Sequence, residues 1–248
     1  MDLSTFFNEN PKTAIAFSGG TDSSYLLYAA SKYGIQTKAY YVKTAFQPLF
    51  ELDDAKRIAN ELNIDMAVIE DDILKQEQIM INPPERCYFC KKRLFSLIIQ
   101  AAESDGFSLL LDGTNASDDI SDRPGMKALK ELSVRSPLRE CRLTKEVIRS
   151  LSKKAGLFTW NKPAYACLAT RIPTGIAITA EKLSNIEKAE DYLHKLGFTD
   201  FRIRLFADCA KIQLPENQLD KILKYRVDIL QELQKYYSDV LLDLEVRG

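Results

Sequence analysis

The 248-residue chain has a single histidine, His194, and that scarcity excludes a good deal. A Ser-His-Asp triad or a histidine-rich zinc site needs imidazole where this chain has almost none, and His194 lies in a helical stretch as a surface residue. An excess of one charge is also missing, since 34 Lys+Arg against 35 Asp+Glu leave a formal net charge of −1. Without a broad electropositive field a long nucleic acid cannot be held by counterion release, so a small anionic substrate is expected and no nucleic-acid partner. No apolar run reaches the length of a membrane span, and the N-terminus lacks the basic-then-apolar order of a secretion signal. A soluble, cytoplasmic protein without a membrane partner is the expectation.

What is present is an alternation of short β-rich runs at 13–17, 37–42, 64–69 and 108–111 with helical patterns at 22–33, 52–62 and 91–103. Strands alternating with helices of this length predict right-handed βαβ units and an α/β fold with a doubly wound parallel sheet. Ligands of such sheets bind at the carboxyl ends of the strands. Beyond Pro173 and Gly175 the pattern changes to a helix at 180–196, strands at 201–206 and 210–214, and a helix opened by Pro215 at its first turn. The domain expectation is therefore 1–172 for a nucleotide-binding domain and 173–248 for a small C-terminal α+β domain.

The first strand runs into Ser18-Gly-Gly-Thr-Asp-Ser-Ser24 and then into the apolar helical residues Leu26 and Leu27. Gly19 and Gly20 let backbone N–H groups approach a phosphate, and the hydroxyls of Ser18, Thr21 and Ser23 add donors at a helix N-terminus that favours anions. There is no Gly-Lys-Ser/Thr ending, which excludes the Walker-type loop. Asp22 can hold Mg²⁺ beside a leaving pyrophosphate or simply cap the helix. The nucleotide set is completed by Ser24, by Val42 at the end of the second strand, and by Gly113.

Five cysteines make an odd count in a chain without an export signal, where structural disulfides are disfavoured. Arg86-Cys-Tyr-Phe-Cys-Lys-Lys-Arg93 places Cys87 and Cys90 at Cys-x-x-Cys spacing just before a helix, among basic residues that favour thiolates. Cys167, in Ala166-Cys-Leu-Ala-Thr-Arg171, can supply a third thiolate, and three thiolates suit a [4Fe–4S] cluster with one open iron. A redox dithiol, a zinc knuckle completed by Cys141 or Cys209, and plain buried thiols are the alternatives. Cys141 and Cys209 are otherwise assigned to packing. In the tail, Phe201-Arg-Ile-Arg-Leu205 as a strand puts Arg202 and Arg204 on one face, either a clamp for a phosphate or a solvated basic face.

The 18–24 loop resembles that of the PP-loop ATP-pyrophosphatases, the adenine-nucleotide alpha-hydrolase superfamily, which implies cleavage between the α and β phosphates. Together with the segments at 82–91, 112–116, 122–125, 134–138, 160–163 and 166–173, it resembles the LarE family of ATP-dependent sulfur transferases. That resemblance implies ATP, Mg²⁺ and a substrate, pyridinium-3,5-biscarboxylic acid mononucleotide, whose carboxylates are adenylated before sulfur displaces AMP in nickel-pincer nucleotide synthesis. It implies Cys167 as catalytic, either giving up its own sulfur or, as the presence of all three cysteines favours, joining Cys87 and Cys90 as cluster ligands, and it implies Arg202 and Arg204 at the substrate phosphate. Beside these, Asp22 is read as catalytic, Arg171 as a candidate for the same anion or for ATP, and Glu190 as either an acidic site residue or a solvated helix residue. A sulfide donor, partner enzymes of cofactor biosynthesis and a homo-oligomer, hexameric by resemblance, follow as partners. The rivals are an amide-forming ligase related to NAD synthetase and a tRNA thiolase. This chain departs from the family pattern at Phe206 and Ala210-Lys-Ile-Gln-Leu214, where relatives carry a histidine ahead of an Ala-Arg-Ile-Glu-Val strand.

Overall fold

The computed structural model describes residues 2–118 and 124–247, so Asp122 and Arg123 of the 122–125 segment lie outside it. The chain packs as two units, Met1–Ile73 with Glu85–Lys162, and Leu74–Pro84 with Pro163–Gly248. This division differs from one at residue 172 by giving 74–84 and 163–172 to the second unit.

The first unit opens with α1 (Leu3–Glu9), capped by the Asp2 carboxylate on the Thr5 N–H at 2.8 Å. There follow β1 (Lys12–Ala16), α2 (Thr21–Lys32), β2 (Gln36–Lys43), α3 (Leu49–Glu61) and β3 (Met66–Glu70). A short α4 (Glu77–Met80) belongs to the second unit. The first unit then resumes with α5 (Arg86–Ser104), β4 (Leu110–Leu111), α6 (Pro124–Glu131), α7 (Pro137–Glu140) and α8 (Lys145–Lys154). The sheet is wholly parallel in the order β3-β2-β1-β4, with Ala16 opposite Tyr40 and Ile15 opposite Leu111. Chain order reverses at β1, because β2 lies on one side and β4 on the other. That is the switch point where a parallel sheet opens a crevice at its carboxyl edge.

Both faces are covered, as parallel sheets require. Ile15, Ala39 and Tyr41 pack toward Leu26, Leu27 and Ile58, whereas Ala14, Tyr40 and Val42 pack toward Ile98 and Ala102 of α5. The period-2 alternation of β1 and β2 thus splits their side chains between two apolar layers.

The second unit contains α9 (Ala180–Lys195), β5 (Arg202–Phe206), β6 (Cys209–Gln213), α10 (Leu219–Lys224), α11 (Arg226–Leu233) and β7 (Val240–Leu242). Thr179 caps α9 by accepting from the Lys182 N–H at 3.2 Å. The sheet order is β5-β6-β7, with β5 and β6 antiparallel and β7 parallel to β6. Leu193, Phe198, Ile203, Ile212 and Leu233 form its core. Pro215 does not open a helix at its first turn. It has extended ψ of 151° ahead of a 3₁₀ turn, Glu216–Gln218, because α10 begins only at Leu219.

Candidate active site

The phosphate loop lies between β1 and α2 at the switch point. Gly19 has φ +71°, and a Cβ there would meet Ala55 and the Glu51 carbonyl at 3.1 Å, so glycine is required by both conformation and space. Gly20 is the N-cap of α2 and has no side chain to occupy the first-turn N–H groups, which remain available to an anion. Ser18 and Ser23 hydroxyls lie 3.0 Å apart, and the Ser23 hydroxyl also donates to the Gly20 carbonyl at 3.2 Å. The Thr21 hydroxyl donates instead to the Thr159 carbonyl at 2.8 Å, which anchors the loop and removes Thr21 as a free donor. The Ser24 hydroxyl is buried without a hydrogen-bond partner among the described residues.

Gly113 supports this loop from β4. A Cβ at Gly113 would lie 2.9 Å from the Ser23 nitrogen and 3.1 Å from its Cα, so the two backbones touch. Asp112 holds the contact rigid, with its carboxylate accepting from the Thr114 hydroxyl at 2.5 Å and the Ser136 hydroxyl at 2.6 Å.

Asp22 is half-buried, and its two oxygens have different surroundings. Oδ2 accepts from Lys145 Nζ at 2.5 Å, while Oδ1 is buried with no hydrogen-bond partner among the described residues. A buried, unsatisfied carboxylate oxygen beside a phosphate loop is chemically suited to a hard cation such as Mg²⁺, which would offset charge building on a pyrophosphate. Lys162 approaches from the other side, 2.6 Å from Asp54 and 3.5 Å from the Gly19 carbonyl.

Sequence reasoning missed both lysines. Lys145 carried a usable signal, since it is the first residue of α8, where the helix dipole favours an anion and a cation is out of place without a partner. Replacing Lys145 with methionine should lower kcat/KM for ATP about 10²-fold, as removal of one charge-stabilising donor does elsewhere. Pyrophosphate release measured against ATP concentration checks this.

Next to the loop, a cavity of about 150 Å³ is walled by Phe17, Val42, Leu94, Phe95 and Ile98, with Gln47 and Glu51 as polar edges. Apolar walls at the carboxyl ends of β1 and β2 suit the planar base of a nucleotide whose phosphates lie on the loop. Val42 lies in this wall.

Cys87 and Cys90 fall inside the first two turns of α5 rather than before a helix. Pro83 and Pro84 hold the preceding segment non-helical, and the helix starts directly after Glu85. Spacing i, i+3 puts the two thiols on one helix face, Cys87 exposed and Cys90 half-buried, and the Arg86 guanidinium donates to Cys87 Sγ at 3.7 Å. Two thiols one turn apart fit a pair of ligands to one metal centre. Cys167 belongs to the second unit, and among the described residues no three Cys, His, Asp or Glu side chains form a metal-holding group. None of the five cysteines, all of them described, is in a disulfide. Cys141 packs against the first unit's core, where burial pushes its thiol up, and Cys209 lies beside the Ser238 hydroxyl at 3.5 Å.

Cys167 caps a 3₁₀ turn, Leu168–Arg171, and is half-buried. Arg202 on β5 is buried and stacks over the Tyr165 ring with its guanidinium 5.2 Å from the centroid. It donates to the Phe201 carbonyl at 2.7 Å and to the Ala164 carbonyl. Arg204 donates to Gln213 Oε1 at 2.6 Å and to the Thr170 carbonyl at 3.0 Å. Neither forms an ion pair among the described residues. Burial, then repulsion from Arg171 and Arg247, brings Arg202 down to about 10 and lowers Arg204 for the same reasons. Arg171 and Glu190 instead pair with each other, 2.8 Å apart and only 1% and 2% exposed. Glu190 is therefore no solvated helix residue. His194 is exposed, against the Phe201 ring at 4.7 Å.

A glycine turn between a parallel strand and a helix, at the switch point and without a Walker lysine, defines the class: an adenine-nucleotide alpha-hydrolase-like PP-loop fold. No family model matches the chain. The chain is 33% identical to the pyridinium-3,5-bisthiocarboxylic acid mononucleotide synthase of Lactiplantibacillus plantarum, over 94% of this chain and 86% of that one. It is 35% identical to an uncharacterized protein of Synechocystis sp. over 98% of this chain and 92% of that one. A shorter match, 26% identical over 61% of this chain and 54% of the other, is to the tRNA-specific 2-thiouridylase MnmA of Thermotoga petrophila. The chain belongs to the LarE family of ATP-dependent sulfurtransferases.

Proposed function

We propose that the protein adenylates the carboxylates of pyridinium-3,5-biscarboxylic acid mononucleotide and replaces AMP by sulfur, giving the thiocarboxylates of a nickel-pincer nucleotide. The observation that carries the substrate reading is Arg202, a buried guanidinium without a carboxylate partner among the described residues. An uncompensated buried cation is costly unless an anion joins it, and Arg204, two residues along the same face of β5, can add a second guanidinium to a phosphate. A mononucleotide supplies one phosphate. A tRNA thiolase would need a long basic surface, which a near-neutral chain does not offer.

In the first half-reaction a carboxylate oxygen of the substrate attacks the α-phosphorus, the bond to the β-phosphate bridging oxygen breaks, and pyrophosphate leaves with that electron pair. Ser18 to Ser24 hold the phosphates, Lys145 offsets the charge on the leaving group, and Phe17, Val42 and Phe95 seat the base; Asp22 would hold a Mg²⁺, which when bound supplies further positive charge beside the pyrophosphate. In the second, sulfur attacks the acyl carbon and the carbon–oxygen bond to AMP breaks. Cys87, Cys90 and Cys167 are the residues that would hold a [4Fe–4S] cluster, which when bound supplies an open iron able to carry a transferable sulfide.

Anaerobic purification followed by iron and sulfide analysis, with products of ATP plus the mononucleotide read by mass spectrometry, tests the proposal. About four irons per chain are expected, lost when Cys87, Cys90 and Cys167 are all alanine, with thiocarboxylate formed only by the wild type. An iron-free protein losing one sulfur from Cys167 per turnover would replace the cluster by a sacrificial cysteine. An amide product formed with ammonia would overturn sulfur transfer altogether.

A further inference from the structure

Glu190 has no lone pair left for a ligand, and Arg171 directs four of its five N–H groups at Glu190 and at the turn that bears Cys167. Glu190 Oε1 accepts from Arg171 Nε at 2.8 Å and from the Ile203 N–H at 3.0 Å. Its Oε2 accepts from Arg171 Nη2 at 3.1 Å and from the Tyr165 hydroxyl at 2.5 Å. Arg171 spends Nη1 on the Ala166 carbonyl at 2.8 Å, the Cys167 carbonyl at 3.4 Å and the Thr170 hydroxyl at 2.9 Å. The Thr170 hydroxyl in turn donates to the Cys167 carbonyl at 2.8 Å. Every bond of the pair therefore ends on the turn that bears Cys167 or on β5 and Tyr165, which flank it.

A buried ion pair is a poor source of net stability, because desolvation offsets most of the attraction. Its usable property is direction: a planar guanidinium locked by a bidentate carboxylate aims its remaining donors along fixed lines. Here those lines meet the carbonyls on either side of the Cys167 side chain. The adjacent Arg202 and Arg204 differ, since they engage the Ala164 carbonyl ahead of the turn and the Thr170 carbonyl within it yet lack an ion-pair partner among the described residues.

We propose that Arg171 and Glu190 are positioning residues for Cys167, a pair bonded to each other and to their own chain that fixes the turn from which the thiol is presented, leaving Arg202 and Arg204 to take the anion. This rests on the assignment of Cys167 to sulfur delivery. Cys167→Ala serves as the control: if it still forms thiocarboxylate, that assignment fails, independently of the pair.

The test is Glu190→Gln and Arg171→Lys, assayed for pyrophosphate release, thiocarboxylate formation, KM for the mononucleotide, and amide hydrogen exchange at 166–172. Thiocarboxylate kcat should fall at least ~10-fold, as misplacement of a reacting group by a fraction of an ångström costs, while pyrophosphate release and KM stay within ~2-fold. Exchange at 166–172 should accelerate while the rest of the second unit keeps its protection. Arg171→Lys should not rescue, because an ammonium cannot span a carboxylate and two carbonyls at once. A raised KM with unchanged kcat would overturn the proposal in favour of substrate binding, and an equal loss in both half-reactions would reduce the pair to general structure. If these variants do not fold, Tyr165→Phe removes one hydroxyl from the network and should show a loss of about 3-fold in sulfur transfer alone. No loss there would overturn the proposal as well.

Discussion

Cys167→Ala should abolish thiocarboxylate formation, by at least ~10³-fold, while leaving carboxylate-dependent pyrophosphate release within ~3-fold of wild type, because removing a residue proposed for sulfur delivery eliminates one chemical step and not the other. The expectation follows from where the groups lie. The phosphate loop, Asp22, Lys145 and the apolar cavity all belong to the first unit, whereas Cys167 belongs to the second. With Cys167 in the proposed role of sulfur delivery, its loss should leave an acyl-adenylate that hydrolyses. The measurement is a paired assay of pyrophosphate and thiocarboxylate on one sample. Loss of both to the same extent would mean that the residue is structural, and retention of both would remove Cys167 from sulfur delivery.

Gly113→Ala should abolish ATP-dependent turnover, with kcat/KM down by ~10² or more, although only one methyl group is added. The Cβ would lie 2.9 Å from the Ser23 nitrogen, backbone against backbone, and neither side can relax by rotating a side chain. Asp112 is held by Thr114 and Ser136, and Ser23 is bonded to Ser18 and Gly20, so the strain passes into the phosphate loop. Overpacking of this kind costs about 1–3 kcal/mol, and a drop in Tm of a few degrees should accompany the change. Loss of nucleotide binding by calorimetry, with α-helical circular dichroism retained, confirms the mechanism. A variant with unaltered kcat/KM would show that the loop tolerates displacement from the β4 side.

Much of the first unit was legible because its determinants are local. A buried apolar strand, two glycines and an amphipathic helix in succession specify a phosphate loop without reference to the rest of the chain, and β1, α2, β2 and α3 appear within a few residues of expectation. The errors are where a local signal was short or a contact was distant. β7 is three residues long, and its pairing with β6 closes a loop of some thirty residues that no periodicity announces. Cys87 and Cys90 moved into α5 because Pro83 and Pro84 set the start of the helix, a boundary effect that spacing alone underestimates. Lys145 was detectable as a cation at the wrong end of a helix. Lys162, in Trp160-Asn-Lys-Pro163, offered no comparable sign.

The sequence by itself determined the class of chemistry, since the loop without a Walker lysine, the thiols and the two arginines on one strand face are all fixed by residue type and short spacing. Only the tertiary structure decided how those groups divide their work. Glu190 became a buried partner of Arg171 and not a solvated acid, Asp22 acquired Lys145 on one oxygen and no partner among the described residues on the other, and Gly113 came to rest on Ser23. Burial and pairing are properties of residues brought together from far apart in the chain, and in a low-dielectric interior they determine which charges are already neutralised and which still require a ligand.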